Sequence, residues 1–146
     1  MSTGSTATAR PTVHLSIDVP DLDGGLRFYE RVCGFRESAR PFPTMAILDG
    51  NNLTVCLHEK PAGSASSEGG PPRDYARHWT SVHMDLHVGD FEETLGRIAA
   101  EGGRIERVFR DVGPRPAAFC CDPFGNGFCV LGPHRDAGVE SQPGAG

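Results

Sequence analysis

The chain has 146 residues, 38% hydrophobic and 23% charged, the size and balance of one globular domain with a real core. A formal net charge of -5 with no basic block argues against a nucleic-acid partner, and no apolar run approaches the length of a membrane span. The N-terminal MSTGSTATARPT has no apolar segment of the export type, and five cysteines is an odd number in no framework spacing; reduced thiols in a cytoplasmic protein are expected.

Residues 1–11 are small and polar and are expected to be disordered. Residues 13–19 then alternate. Leu15, Ile17 and Val19 share one face, and His14, Ser16 and Asp18 share the other, the period of a strand with one buried side. Pro20 ends that strand and Asp21 is suited to cap a helix, in which Leu22, Leu26, Tyr29 and Cys33 form an apolar stripe stopped by Gly34. Strands are expected near 36–40, 44–48 and 53–58, the last two separated by the turn DGNN. Residues 60–73 (KPAGSASSEGGPPR) lack periodicity and read as a linker or flap. At its end, Tyr75 and Trp79 are placed either to lid an apolar ligand or to pack on a strand edge.

Residues 82–88 alternate again. Val82, Met84, Leu86 and Val88 oppose His83, Asp85 and His87. Asp90 is a helix cap, with Glu93 spaced to complete a capping box, and Phe91, Leu95 and Ile98 form the stripe. Gly102 and Gly103 end the helix. Strands are expected near 104–107, 117–121 and 127–131, with DPFGN as the turn before the last and a frayed tail over 132–146.

The two halves repeat. Shifted by 69 residues, Val13, His14, Val19, Asp21, Leu26 and Gly34 meet Val82, His83, Val88, Asp90, Leu95 and Gly103. Late in each half the shift becomes 73, and Asp49 and Cys56 meet Asp122 and Cys129. Each half reads strand–helix–strand–strand–strand, so the fold class is α+β: two βαβββ modules (about 12–59 and 80–131, joined by a linker over 60–79) whose free sheet faces can border a cleft.

Two marks carry a resemblance: a His followed seven residues on by Asp, a helix and Gly, seen twice, and DPFGNGFC near the end. On these the chain resembles the vicinal oxygen chelate superfamily, which includes glyoxalase I, bleomycin-resistance proteins, fosfomycin-resistance enzymes and extradiol dioxygenases. The resemblance implies a metal, where one is present, in the cleft between paired modules, with ligands from the first and last strand of each. The matching positions are His14, Cys56, His83 and Cys129. The histidines fit the family type, whereas the cysteines stand where the metal enzymes usually place a carboxylate.

Two readings follow. Imidazole and thiolate suit Zn²⁺ best among divalent metals, and the family mechanism then implies a metal-assisted lyase or isomerase. The missing carboxylates argue against glyoxalase I and extradiol dioxygenase activity. Alternatively the cysteines, in the apolar strands LTVCL and GFCVL, simply pack, and the protein sequesters a drug or metabolite without metal. Asp85 and His87, on the His83 face, are candidate proton carriers. Ser16, Asp18 and His58 on the matching face, and Arg115 beside Gly113 and Pro114, are candidate ligand contacts. The partners expected are a small-molecule ligand and a second copy of the chain, in which modules of different chains pair.

Overall fold

The computed structural model describes residues 9–135. The expected disorder of residues 1–8 and fraying of 136–146 lie outside that range. The first half contains β1 (His14–Val19), α1 (Leu22–Cys33), β2 (Arg36–Phe42), β3 (Met45–Asp49) and β4 (Thr54–Glu59). The second contains β5 (Met84–His87), α2 (Phe91–Ala100), β6 (Arg104–Phe109), β7 (Ala117–Cys121) and β8 (Gly127–Leu131). Each half forms its own four-stranded mixed sheet, ordered β1-β4-β3-β2 and β5-β8-β7-β6, with the first and last strands of the half parallel. The duplicated βαβββ architecture read from the sequence is the one observed.

Local chemistry sets the elements. The Asp21 carboxylate accepts from the Gly24 N–H at 3.1 Å and starts α1. Gly34, at φ 70°, ends it by donating its N–H to the Glu30 carbonyl at 3.0 Å. Asp90 caps α2 through the Glu93 N–H at 2.9 Å. The return arm of the expected capping box is not made. Glu93 instead accepts from Arg97 at 2.7 Å, one turn along, where an opposite charge outcompetes a backbone amide. The strand expected over 82–88 is shorter, because Val82 lies beyond the end of the parallel ladder and is 73% exposed.

The two helices pack on one another and share a single core. Leu22, Leu26 and Tyr29 of α1 belong to the same buried cluster as Phe91, Leu95 and Ile98 of α2. Phe28 meets Phe128 edge-on at 6.1 Å. The strongest polar tie between the halves is the Tyr29 hydroxyl, which donates to Asp122 Oδ2 at 2.6 Å. Asp122 is 2% exposed and also accepts from the Phe124 and Asn126 backbone N–H groups and the Asn126 side chain. The carboxylate thus has the donors that a buried charge requires. Burial first, then the Asp122 charge and hydrogen bond, hold the Tyr29 phenol well above its ordinary pKa.

The connector is tied down rather than loose. Arg73 Nε donates to Asp18 at 2.9 Å and its guanidinium also reaches Ser64, while the Tyr75 hydroxyl donates to the Lys60 carbonyl at 2.6 Å. Gly125 accepts its far end. At φ 85° it lies so close to the Tyr75 and Ala76 carbonyls that a Cβ would stand 2.5 Å from the latter. Tyr75 takes neither sequence-expected role alone: it lines a cavity and anchors the chain. Trp79 is 84% exposed. Gly132 and Arg135 are hydrogen-bonded to the 113–116 loop, so the tail expected to fray from 132 stays attached through 135.

Candidate functional site

One face of each sheet packs on the helices and the other is open. Strand register lays the open-face residues out in rows. On the first sheet these are His14–Thr54–Asp49–Arg36, then Ser16–Cys56–Ile47–Ala39, then Asp18–His58–Met45–Phe42. On the second sheet, Asp85–Cys129–Phe119–Arg107 forms the middle row and His87–Leu131–Ala117 runs into Phe109 beside it. His83 stands one pleat before Asp85 on the same face. Aligned cross-strand partners point the same way, so each row is a line of neighbouring side chains.

At the β5 edge three metal-competent groups converge. The donor atoms of His83, Asp85 and Cys129 all lie within 4.8 Å of one another. His83 Nε2 is 3.2 Å from Asp85 Oδ1, and Cys129 is the direct cross-strand partner of Asp85. Burial first, then the neighbouring Asp85 carboxylate, push the Cys129 thiol up to about 11. With no ion beside it the sulfur is therefore a protonated donor. Two of the four sequence-derived metal positions, His83 and Cys129, fall in this cluster. His14 and Cys56 stand on the other sheet, with Cys56 buried and His14 exposed.

His87 and Arg115 also meet, at 2.6 Å between Arg115 Nη1 and His87 Nδ1. A guanidinium can only donate, so the neutral imidazole keeps its proton on Nε2. Arg110, the other loop arginine, pairs with Glu92 at 2.7 Å on the surface. Cys120 and Cys121 face opposite ways as their adjacency requires. Cys120 lies in the core, where burial first and then the neighbouring Cys129, Cys121 and Glu106 charges push its thiol up to about 12, and Cys121 lies under Arg104.

Between the modules lies a cavity of about 690 Å³, lined in part by Ser16, Asp18, Tyr29, Arg73, Tyr75 and His83. The connector forms one wall, and the half-buried Arg73–Asp18 pair bridges it. A second hollow, of about 870 Å³, has Asp85 and His87 on its lining. Both ends of β5 thus open onto space. Asp18 and His83, separated in sequence, share the first cavity, whereas His58 is absent from either lining.

A family profile described as a glyoxalase-like domain matches residues 14–131. The chain belongs to this glyoxalase-like family of the vicinal oxygen chelate superfamily. Among solved structures, this glyoxalase-like chain is similar to the fosfomycin resistance protein FosX of Listeria monocytogenes. The hexagonal crystal form gives a TM-score of 0.65 at 17% identity over 86% of this chain and 95% of that one. A FosX mutant complexed with Mn(II) and 1S,2S-dihydroxypropylphosphonic acid gives 0.66 at 16% identity, covering 85% and 90%. A glyoxalase/bleomycin resistance protein from Albidiferax ferrireducens gives 0.61 at 17%, covering 84% and 98%. These likenesses concern the fold. Comparison with curated proteins finds no match.

The glyoxalase-like family implies a divalent metal, and the three converging donors can be tested for fit. A tetrahedral ion with bonds of about 2.1 Å sets ligand atoms roughly 3.4 Å apart, so a spread within 4.8 Å closes by small side-chain rotations. The donor set is one imidazole, one carboxylate and one thiol, and His83 and Asp85 are about half exposed, which leaves coordination positions open. The residues fit such an ion. Sequence reasoning put Asp85 among proton carriers and missed that the parallel β5–β8 ladder sets it opposite Cys129. It also missed Asp122 and Arg73. The DPFGN motif held the signal for the first, and nothing in the linker composition singled out the second.

Proposed function

We propose that this glyoxalase-like protein binds a small oxygenated molecule on the open face of its second sheet, at a three-donor metal site made by His83, Asp85 and Cys129. The single observation supporting this is the convergence of the three donors at one strand edge. A divalent ion held there would supply Lewis-acid polarisation of ligand oxygens. Three protein ligands with open positions is the pattern of catalytic rather than structural sites. In that setting Asp85 supplies the carboxylate that the family position occupied by Cys129 lacks. His87, oriented by Arg115, presents an Nε2 proton two residues along the same face. This arrangement suits proton transfer in a metal-assisted lyase or isomerase. The open faces of the two sheets carry complementary halves of the sequence-derived set, which favours a homodimer in which His14 and Cys56 of one chain approach His83 and Cys129 of another.

One observation favours a second reading. His83 Nε2 lies 3.2 Å from Asp85 Oδ1, so the imidazole and the carboxylate pair with each other directly. That suits a metal-free binding protein. Equilibrium dialysis against Zn²⁺ and Mn²⁺ decides between them. The first reading predicts about one ion per chain, lost in H83A and in C129S and weakened by D85N. Absence of stoichiometric metal, with ligand binding unchanged by chelator, would replace it with the second.

A further inference from the structure

The middle row of the second sheet continues past the donor cluster into groups that no metal site uses. Phe119 is the direct cross-strand partner of Cys129, and Arg107 is the direct partner of Phe119. Phe119 is 46% exposed in the middle of an open sheet face, where a large ring costs hydrophobic free energy unless something covers it. Phe109 meets it edge-on at 5.4 Å and makes the wall two rings wide. Arg107 lies over the Phe109 ring, its Cζ 4.7 Å from the centroid. Arg104, the cross-strand partner of Cys121, stands on the same strand. Among the described residues neither Arg104 nor Arg107 has a carboxylate partner, in a chain whose formal net charge is -5. The neighbouring acid, Glu106, is taken by Arg77 at 2.8 Å.

We infer that Phe119, Phe109 and Arg107 form a specificity subsite for a monocyclic aromatic carboxylate, its ring on Phe119 and its anionic group at Arg107. This deepens the proposed function, resting on the second sheet's open face being the ligand face, and names the class of molecule bound. Dimensions agree. Strands stand about 4.8 Å apart, so Cys129 to Arg107 spans about 10 Å, room for one ring and its carboxylate with the opposite ring edge turned to the donor cluster. A small aliphatic anion would leave the aromatic wall wet, and an uncharged ring would leave the guanidinium unpaired.

The test is calorimetric titration of full-length protein in excess EDTA with benzoate, benzamide and acetate, so that it does not depend on metal binding. Benzoate is expected to bind at least tenfold more tightly than either analogue. Phe119→Leu and Arg107→Gln should each weaken benzoate about tenfold, while Arg27→Gln, an exposed change on α1 that lines neither cavity, leaves it unchanged. Equal affinity for all three probes would overturn the inference. So would a Phe119→Leu chain that binds benzoate normally but changes its mass in solution, which would assign the ring to a contact between copies. Failure of the dialysis experiment with success here would remove the metal and keep the subsite.

Discussion

At the residue scale, the buried Tyr29–Asp122 bond carries the most. It joins α1 to the last turn of the second half, and Asp122 has its acceptor capacity filled by four donors. A hydrogen bond to a charged group contributes about 1.5–3 kcal/mol. Tyr29→Phe is therefore expected to destabilise the fold by about 2 kcal/mol in urea titration, and Asp122→Ala by more, since it strands several donors. Burial also governs the pH response. It pushes Cys33 up to about 12, against a smaller lowering by Arg97, and raises Tyr29. In both, the unfolded chain loses its proton first. The stabilisation is complete below the unfolded values near 9 and 10 and is lost as pH rises through the folded ones. The melting temperature should fall from about pH 9 upward, each group adding up to about 1.4 kcal/mol per pH unit. A flat profile to pH 11 would contradict it.

At the element scale, the alternating strands and striped helices were legible because side-chain period and capping are local properties. Asp21, Gly34 and Asp90 do what their types suggest. What was not legible depends on register and partners. Asp85 reads as one more polar residue of an alternating strand until a parallel ladder sets it beside Cys129. Glu93 has the right spacing for a capping box, and only the neighbouring turn reveals Arg97 as the stronger partner. Arg73 looks like the end of a formless linker, yet it holds the connector against β1 through Asp18. A partly exposed pair of this kind contributes little to global stability. Arg73→Ala should thus leave the melting temperature nearly unchanged while hydrogen exchange across residues 61–76 speeds up. Unchanged exchange there would show that Tyr75 and Gly125 suffice to hold the segment.

At the scale of the whole molecule, duplication gives two open sheet faces that differ in chemistry. The first sheet carries Ser16, Cys56 and Ile47 in its middle row, and the second carries Asp85, Cys129, Phe119 and Arg107. The shared core turns both helices inward against each other and leaves those faces free, so function is written in the rows and not in the fold. The repeat revealed the architecture, and the places where the halves diverge define the site. The most direct measurement is a ¹⁵N-resolved titration of the full chain with Zn²⁺. The account predicts saturable shifts at about one equivalent, centred on His83, Asp85 and Cys129 and reaching their cross-strand neighbour Phe119. Shifts centred on the connector at Arg73 and Tyr75, or none at all, would contradict it.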